Sequence, residues 1–241
     1  MAKLVFDIET VGLPLETFDE TQQDYLLRGA DTDEAREQKV REFNLTPFTA
    51  RVCCIGMLNV DTGKGRVIYL ADETADETID GVAYVALTDE HALLTKFWEV
   101  IGATKETQSR EMVYDKFITF NGRGFDCPFV MLRSAQLGIR PTRNLMAGGK
   151  FAGRKAHIDL MDELTFLAYG NNGATRRFNL DFYCKSFGID SPKGQEVTGR
   201  NINEVFAAKR FHEIAEYCMR DVKATSALYS KWQTMLWFPN E

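Results

Sequence analysis

The stretch Lys3-Leu4-Val5-Phe6-Asp7-Ile8-Glu9 decides the fold. Leu4, Phe6 and Ile8 alternate with Val5, Asp7 and Glu9, so the two sets project from opposite faces of an extended chain. Such a period of two, apolar on both faces, predicts a central β-strand. Gly12 and Pro14 end it. Asp7 and Glu9 then share a face, and two carboxylates that close repel unless a cation or a proton compensates. Hard oxygen ligands at this spacing suit Mg²⁺ or Mn²⁺. On the triplet alone, a strand end reaching solvent is the preferred reading, since acidic chains produce D-x-E by chance.

Outward from this strand, residues 16–43 are polar, with Tyr25, Leu26 and Leu27 as one apolar patch. They read as one or two surface helices or loops, an insertion at about 14–48 in a single domain spanning 1–241. Residues 51–60 and 66–70 flank Asp61-Thr62-Gly63-Lys64-Gly65, the pattern of a β-hairpin. Asp72 to Asp80 reads as an acidic connector. From about Asp89, Leu94, Phe97, Trp98 and Ile101 fall at helical spacing, with Gly102 as the stop. Phe117–Phe120 reads as a short buried strand, Asn121-Gly122-Arg123-Gly124 as a turn, and a helix starts near Asp126 and Pro128 and runs to Gly138. His157 to Leu160 predicts a last short strand, followed by helices near 161–168 and 178–187. A long amphipathic helix closes the pattern from about Arg210 to Leu236, with Ile214, Cys218, Val222, Thr225, Tyr229 and Trp232 on its apolar side. Strands early and helices late indicate an α/β layer fold.

Composition narrows the function classes. The 241 residues are 44% hydrophobic and 27% charged, ordinary for a globular protein. No apolar run is long enough to span a bilayer and no basic-then-apolar leader opens the chain, so the expectation is a cytoplasmic protein without membrane contact. Five cysteines, an odd number without a CxxC pair, read as reduced core thiols. His91, His157 and His212 have no metal-ligand spacing. A net charge of −6 disfavours a protein that coats duplex, but not an enzyme that grips one strand end. From Cys127 to Ile158 there is no acidic residue, whereas Arg133, Arg140, Arg143, Lys150, Arg154 and Lys155 all occur. This segment is a phosphate-facing patch or a solvated basic loop, and composition does not choose between them.

Two further signals bear on Asp7 and Glu9. Asp126, after a strand and a turn, lies just before Cys127-Pro128. It is either a helix N-cap or a carboxylate brought to the edge where Asp7 and Glu9 emerge. Tyr217 and Asp221, four residues apart, share one face of the last helix, offset by one residue from its apolar stripe.

In order, F-D-I-E-T (6–10), F-N-G-R-G-F-D (120–126) and Y-C-M-R-D (217–221) resemble the three motifs of the DEDD exonuclease superfamily. The tyrosine branch fits, because Tyr217 stands four before the final Asp and the position five before it is Glu216, not His. The closest likeness is to the proofreading exonuclease domain of family-B DNA polymerases and its stand-alone relatives. That resemblance implies a ribonuclease-H-like fold, with a five-stranded mixed sheet, one strand antiparallel, and flanking helices. It also implies a 3′→5′ exonuclease that uses two Mg²⁺ or Mn²⁺ ions and releases nucleoside 5′-monophosphates. Asp7 would bridge the ions, Glu9 and Asp221 would complete the first, and Asp126 would hold the second through water. Tyr217 would orient the attacking water or the scissile phosphate. Thr10, Gly12 and Leu13 match contacts to the terminal nucleotide, with Asn121 and Phe125 in the same pocket. The expected partner is the 3′ end of single-stranded DNA, with RNA as the alternative. A non-catalytic binding module on this fold would be expected to lose a carboxylate, and a carboxylate phosphatase or glycosidase would not require Tyr217 or this motif order. Proofreading beside a polymerase, repair and recycling are not separated by these residues.

Overall fold

Strand β1 (Ala2–Gly12) is the spine of the molecule, as its two apolar faces require. In the computed structural model, which describes residues 2–102, 113–148, 156–168, 173–190 and 197–238, it is followed by two short exposed helices, α1 (Glu20–Leu26) and α2 (Asp33–Arg41). Asp19 and Thr32 cap these helices through their side chains, and neither helix buries a residue. The predicted hairpin follows as β2 (Ala50–Asn59) and β3 (Gly65–Leu70), paired antiparallel.

The stretch expected as an acidic connector is instead a second hairpin, β4 (Ala75–Ile79) and β5 (Val82–Leu87). Its two turn residues, Asp80 and Gly81, both have positive φ (49° and 77°), which a two-residue hairpin turn requires. All five residues of β4 are exposed. Its charges are those of a sheet edge guarded against pairing with another chain, and they disguise the strand in the sequence.

Helix α3 (Glu90–Gly102) precedes β6 (Tyr114–Thr119), α4 (Asp126–Gln136), β7 (His157–Asp159) and α5 (Leu160–Leu164). The chain ends with α6 (Leu180–Ser186), α7 (Ile202–Ala207), which was not foreseen, and the 25-residue α8 (Phe211–Met235). The strand order is β4-β5-β3-β2-β1-β6-β7. Among the described residues the sheet therefore has seven strands, not five. The middle five, β3-β2-β1-β6-β7, have only β2 reversed and form the ribonuclease-H-like core; the β4–β5 hairpin extends it at the β3 edge.

Helix α8 lies across β2, β1 and β3, and its six expected apolar positions are all buried. The close approach depends on Gly56. A Cβ there would stand 2.9 Å from Val222 Cγ2 and 3.0 Å from Cys218 Sγ. Gly56 is the register partner of Asp7, so the gap left by its missing side chain seats α8 opposite that carboxylate. Elsewhere Arg133 is no phosphate-facing residue. Its guanidinium grips buried Glu90 at 2.9–3.0 Å, and Glu90 also accepts from the Val52 N–H at 2.8 Å, which ties α4 and α3 to β2. Arg143 lies over the Phe117 ring, 5.6 Å from its centroid. Lys150, Arg154 and Lys155 fall outside the described residues.

Candidate active site

Three elements meet at the C-terminal half of β1. Asp7 and Glu9 pair with Gly56 and Cys54 of β2, just before an irregularity in register between Glu9 and Thr10. Asp7 is half-buried and Glu9 is buried. On the other side of β1 the ladder to β6 is last recorded at Val5–Ile118, so the Ile8 N–H needs another acceptor. Asp126 supplies it: Oδ1 accepts from the Ile8 N–H at 2.9 Å. The cap position of α4 belongs to Phe125, which makes no side-chain cap bond. Asp126 is thus anchored between Asp7 and Glu9 across the sheet and does not cap its own helix. From α8, the Tyr217 hydroxyl bonds the Asp221 carboxylate one turn away.

These carboxyls are electrostatically frustrated. Burial, then the charges of Asp126, Glu9 and Asp221, hold the Asp7 carboxyl well above its ordinary range. Burial, then Asp221 and Asp126, do the same to Glu9. Burial lifts Asp126 to about 7 despite the backbone N–H groups that pull it down. Burial and the charges of Glu9 and Asp221 raise the Tyr217 phenol, so it stays protonated. The charges that raise Asp7 and Glu9 are those of neighbouring carboxylates. An anionic set of hard oxygen donors fits divalent Mg²⁺ or Mn²⁺.

Among the described residues, ligand atoms of Asp7, Glu9 and Cys218 lie within 4.8 Å of one another. Cys218 does not fit as a ligand for a hard ion. Burial pushes its thiol well up, and Sγ faces the Asp7 carbonyl oxygen at 3.6 Å.

A cleft of about 350 Å³ opens on this centre, lined by Asp7, Asn121, Tyr217 and Asp221 together with Phe120, Met161, Asn179, Leu180 and Asp181. The last five were not foreseen as site residues. A larger cleft, about 530 Å³, is lined by Leu4, Asn59, Lys64 and Arg66 among others, and no carboxylate lines it.

Of the expected substrate contacts, only Asn121 lines the carboxylate cleft. The others are engaged within the protein. Thr10 Oγ1 donates to the Asn44 carbonyl at 2.7 Å, and the Gly12 N–H donates to Asn203 Oδ1 at 2.9 Å. The Leu13 N–H donates to the Thr49 carbonyl at 2.8 Å, and the Phe125 ring packs 5.3 Å from that of Phe129.

A residue that sequence reasoning missed holds the second motif in shape. Buried Asp159 accepts from the N–H groups of Asn121 and Arg123, each at 2.8 Å, and of Met161 at 3.0 Å. Asn121 sits at φ 62°, in the left-handed region that Asn enters more readily than most residues, and its N–H donates to Asp159.

Residues 42–236 match the model of a family described as predicted 3′-5′ exonucleases related to the exonuclease domain of PolB. The chain belongs to this family. Asp126, Tyr217 and Asp221 lie inside the matched stretch of this exonuclease-family chain, while Asp7 and Glu9 precede it on β1, which pairs with β2 inside it and brings Asp7 to the cleft that Tyr217 and Asp221 line. Membership implies a nucleic-acid substrate. No curated protein matches the chain. No helix among the described residues is long and apolar enough to cross a membrane.

Proposed function

We propose that this chain is a metal-dependent 3′→5′ exonuclease of the tyrosine branch, acting on single-stranded DNA ends. The observation that carries the reading is the convergence of Asp7, Glu9, Asp126 and Asp221 from β1, α4 and α8 into one mutually repelling set, with Tyr217 against Asp221. Asp7, Glu9 and Asp221 would hold one Mg²⁺ or Mn²⁺ ion. Asp126, with one oxygen committed to the Ile8 N–H, would hold a second through water. When bound, such ions supply an activated water and charge neutralisation at the leaving 3′-oxygen. The chain's own residues do the rest. Tyr217, a protonated phenol steadied by Asp221, donates a hydrogen bond to the attacking water or the scissile phosphate. Asn121, fixed by Asp159, lines the wall on which the terminal nucleotide rests.

We also read residues 1–241 as one domain with 14–48 inserted. In support, the family match starts at residue 42, yet β1 pairs with β2 inside it. All five thiols are free and buried, which suits a reducing, cytoplasmic setting.

A 5′-labelled single-stranded oligonucleotide with Mg²⁺ or Mn²⁺ should give a descending ladder and nucleoside 5′-monophosphates, and EDTA should abolish it. Activity that persists in EDTA, or internal cutting, would overturn the proposal. A matched RNA strand in the same assay decides the sugar preference, which rests on contacts to the 2′-hydroxyl. Tyr217→Phe should lower the single-turnover rate on the order of 10²-fold, because a positioning contact is lost, and leave Mn²⁺ affinity near the parent value. Cleavage at the parent rate would assign Tyr217 to packing alone.

A further inference from the structure

Sulfur that the proposed mechanism does not use lies against the carboxylates. Cys218 is buried where α8 meets the sheet, with Sγ 3.6 Å from the Asp7 carbonyl oxygen. The missing side chain of Gly56 leaves it that room, since a Cβ there would stand 3.0 Å from Sγ. Its thiol is in hydrogen-bond contact with that of Cys54, the register partner of Glu9. Ligand atoms of Cys218, Asp7 and Glu9 already lie within 4.8 Å of one another. Those of a tetrahedral Zn²⁺ stand roughly 3.5 Å apart, given Zn–S of about 2.3 Å and Zn–O of about 2.0–2.2 Å. Closing the set on one ion therefore takes a contraction of roughly an ångström. Mg²⁺ is held by oxygen and ignores thiols, whereas Zn²⁺ takes thiolate and carboxylate together and binds a given donor set more tightly than Mn²⁺.

We propose that the Cys218 sulfur, with Asp7 and Glu9, forms a site for a thiophilic divalent cation, Zn²⁺ above all, that competes with the hard ions and inhibits cleavage. The binding stands on these three residues; the inhibition rests on the exonuclease reading and adds a form of regulation to it. On binding, the Cys218 proton leaves to solvent and a metal–sulfur bond takes its place. A cation held in this way occupies Asp7 and Glu9, so neither serves Mg²⁺ or Mn²⁺.

The test reads metal binding first and cleavage second. Co²⁺ added to the metal-free parent should give the near-ultraviolet sulfur-to-cobalt charge-transfer band of thiolate ligation, and Cys218→Ser should lose it. In isothermal titration Cys218→Ser should weaken Zn²⁺ binding on the order of 10²-fold, since losing even a group that only supports a metal ligand typically costs about 10- to 100-fold. Its Mn²⁺ affinity and Mg²⁺-supported cleavage should stay at the parent values. Zn²⁺ added to the parent in Mg²⁺ should stop cleavage, and Cys218→Ser should need correspondingly more of it. A parent without the cobalt band would overturn the proposal, whether or not the variant folds. So would a band or a Zn²⁺ affinity that Cys218→Ser leaves unchanged. An equal loss of Zn²⁺ and Mn²⁺ affinity would also overturn it, because the substitution would then have disturbed the carboxylates rather than removed a soft ligand. Cleavage undiminished in saturating Zn²⁺ would overturn the inhibition. The exonuclease reading fails separately: a parent that shows the cobalt band yet gives no ladder in Mg²⁺ or Mn²⁺ refutes that reading alone.

Discussion

Asp7→Asn is expected to lower the cleavage rate by about 10³-fold or more while leaving the metal-free protein at least as stable as the parent. The loss follows from removing the carboxylate at the centre of the cluster, where charge stabilisation by bound ions contributes several kcal/mol and each ~1.4 kcal/mol is a factor of ten. The stability result follows from burial and repulsion, both of which act on Asp7 in the absence of a cation. The pH dependence carries the same signature. A carboxyl with a raised folded-state pKa binds its proton more tightly in the folded protein, so stability falls as pH rises from the unfolded value through the folded one. For Asp126 that window runs from 3.8 to about 7, and Asp7 and Glu9 shift in the same direction. Buried His157 opposes them at lower pH. Its pKa drops from 6.5 to about 4, so its contribution to stability is lost as pH falls through that interval. In EDTA the melting temperature of the parent should therefore rise as pH is lowered from about 8 to about 6.5, and Asp7→Asn should flatten that slope. A clearly lower melting temperature for Asp7→Asn at pH ~8 would make Asp7 a structural residue.

Asp159→Ala should have the opposite thermodynamic sign. This carboxylate is as buried as its neighbours, but three backbone N–H groups converge on it. Removing it strands those donors away from water, at about 1–3 kcal/mol for each one left unsatisfied. A loss of ~3 kcal/mol or more in urea unfolding is expected, with cleavage impaired because the Asn121 turn relaxes. Asp159→Asn, which keeps one acceptor oxygen, should lose less. A parent-like midpoint for Asp159→Ala would contradict the bracing role. Two aspartates near one cleft thus differ by what surrounds them: Asp159 is met by donors, Asp7 by other carboxylates.

The parts of the fold that were legible are those with strong periodicity. Strand β1, the β2–β3 hairpin, α3 and α8 carry apolar residues at regular spacing, and each was expected close to where it lies. The β4–β5 hairpin was missed because an exposed edge strand buries nothing, although Asp80-Gly81 was a usable turn signal. Gly56 was likewise readable in principle, since a lone glycine inside an apolar strand signals a close approach. Pairings distant in sequence were not legible. Nothing near Arg133 announces Glu90, and nothing near Asp126 announces that the Ile8 N–H would need an acceptor. Thr10, Gly12 and Leu13 were expected from their motif to meet the terminal nucleotide, whereas the Thr10 hydroxyl and the Gly12 and Leu13 N–H groups turn to Asn44, Asn203 and Thr49.

The central claim is that residues from three separate elements build one cation site. Isothermal titration of the metal-free protein with Mn²⁺ tests it most directly, comparing the parent with Asp7→Asn, Glu9→Gln, Asp126→Asn, Asp221→Asn and Tyr217→Phe. The account predicts Mn²⁺ binding by the parent, weakened by each of the four carboxylate substitutions and retained in Tyr217→Phe. Mn²⁺ affinity unchanged by all four carboxylate substitutions, or no Mn²⁺ binding by the parent, would contradict it.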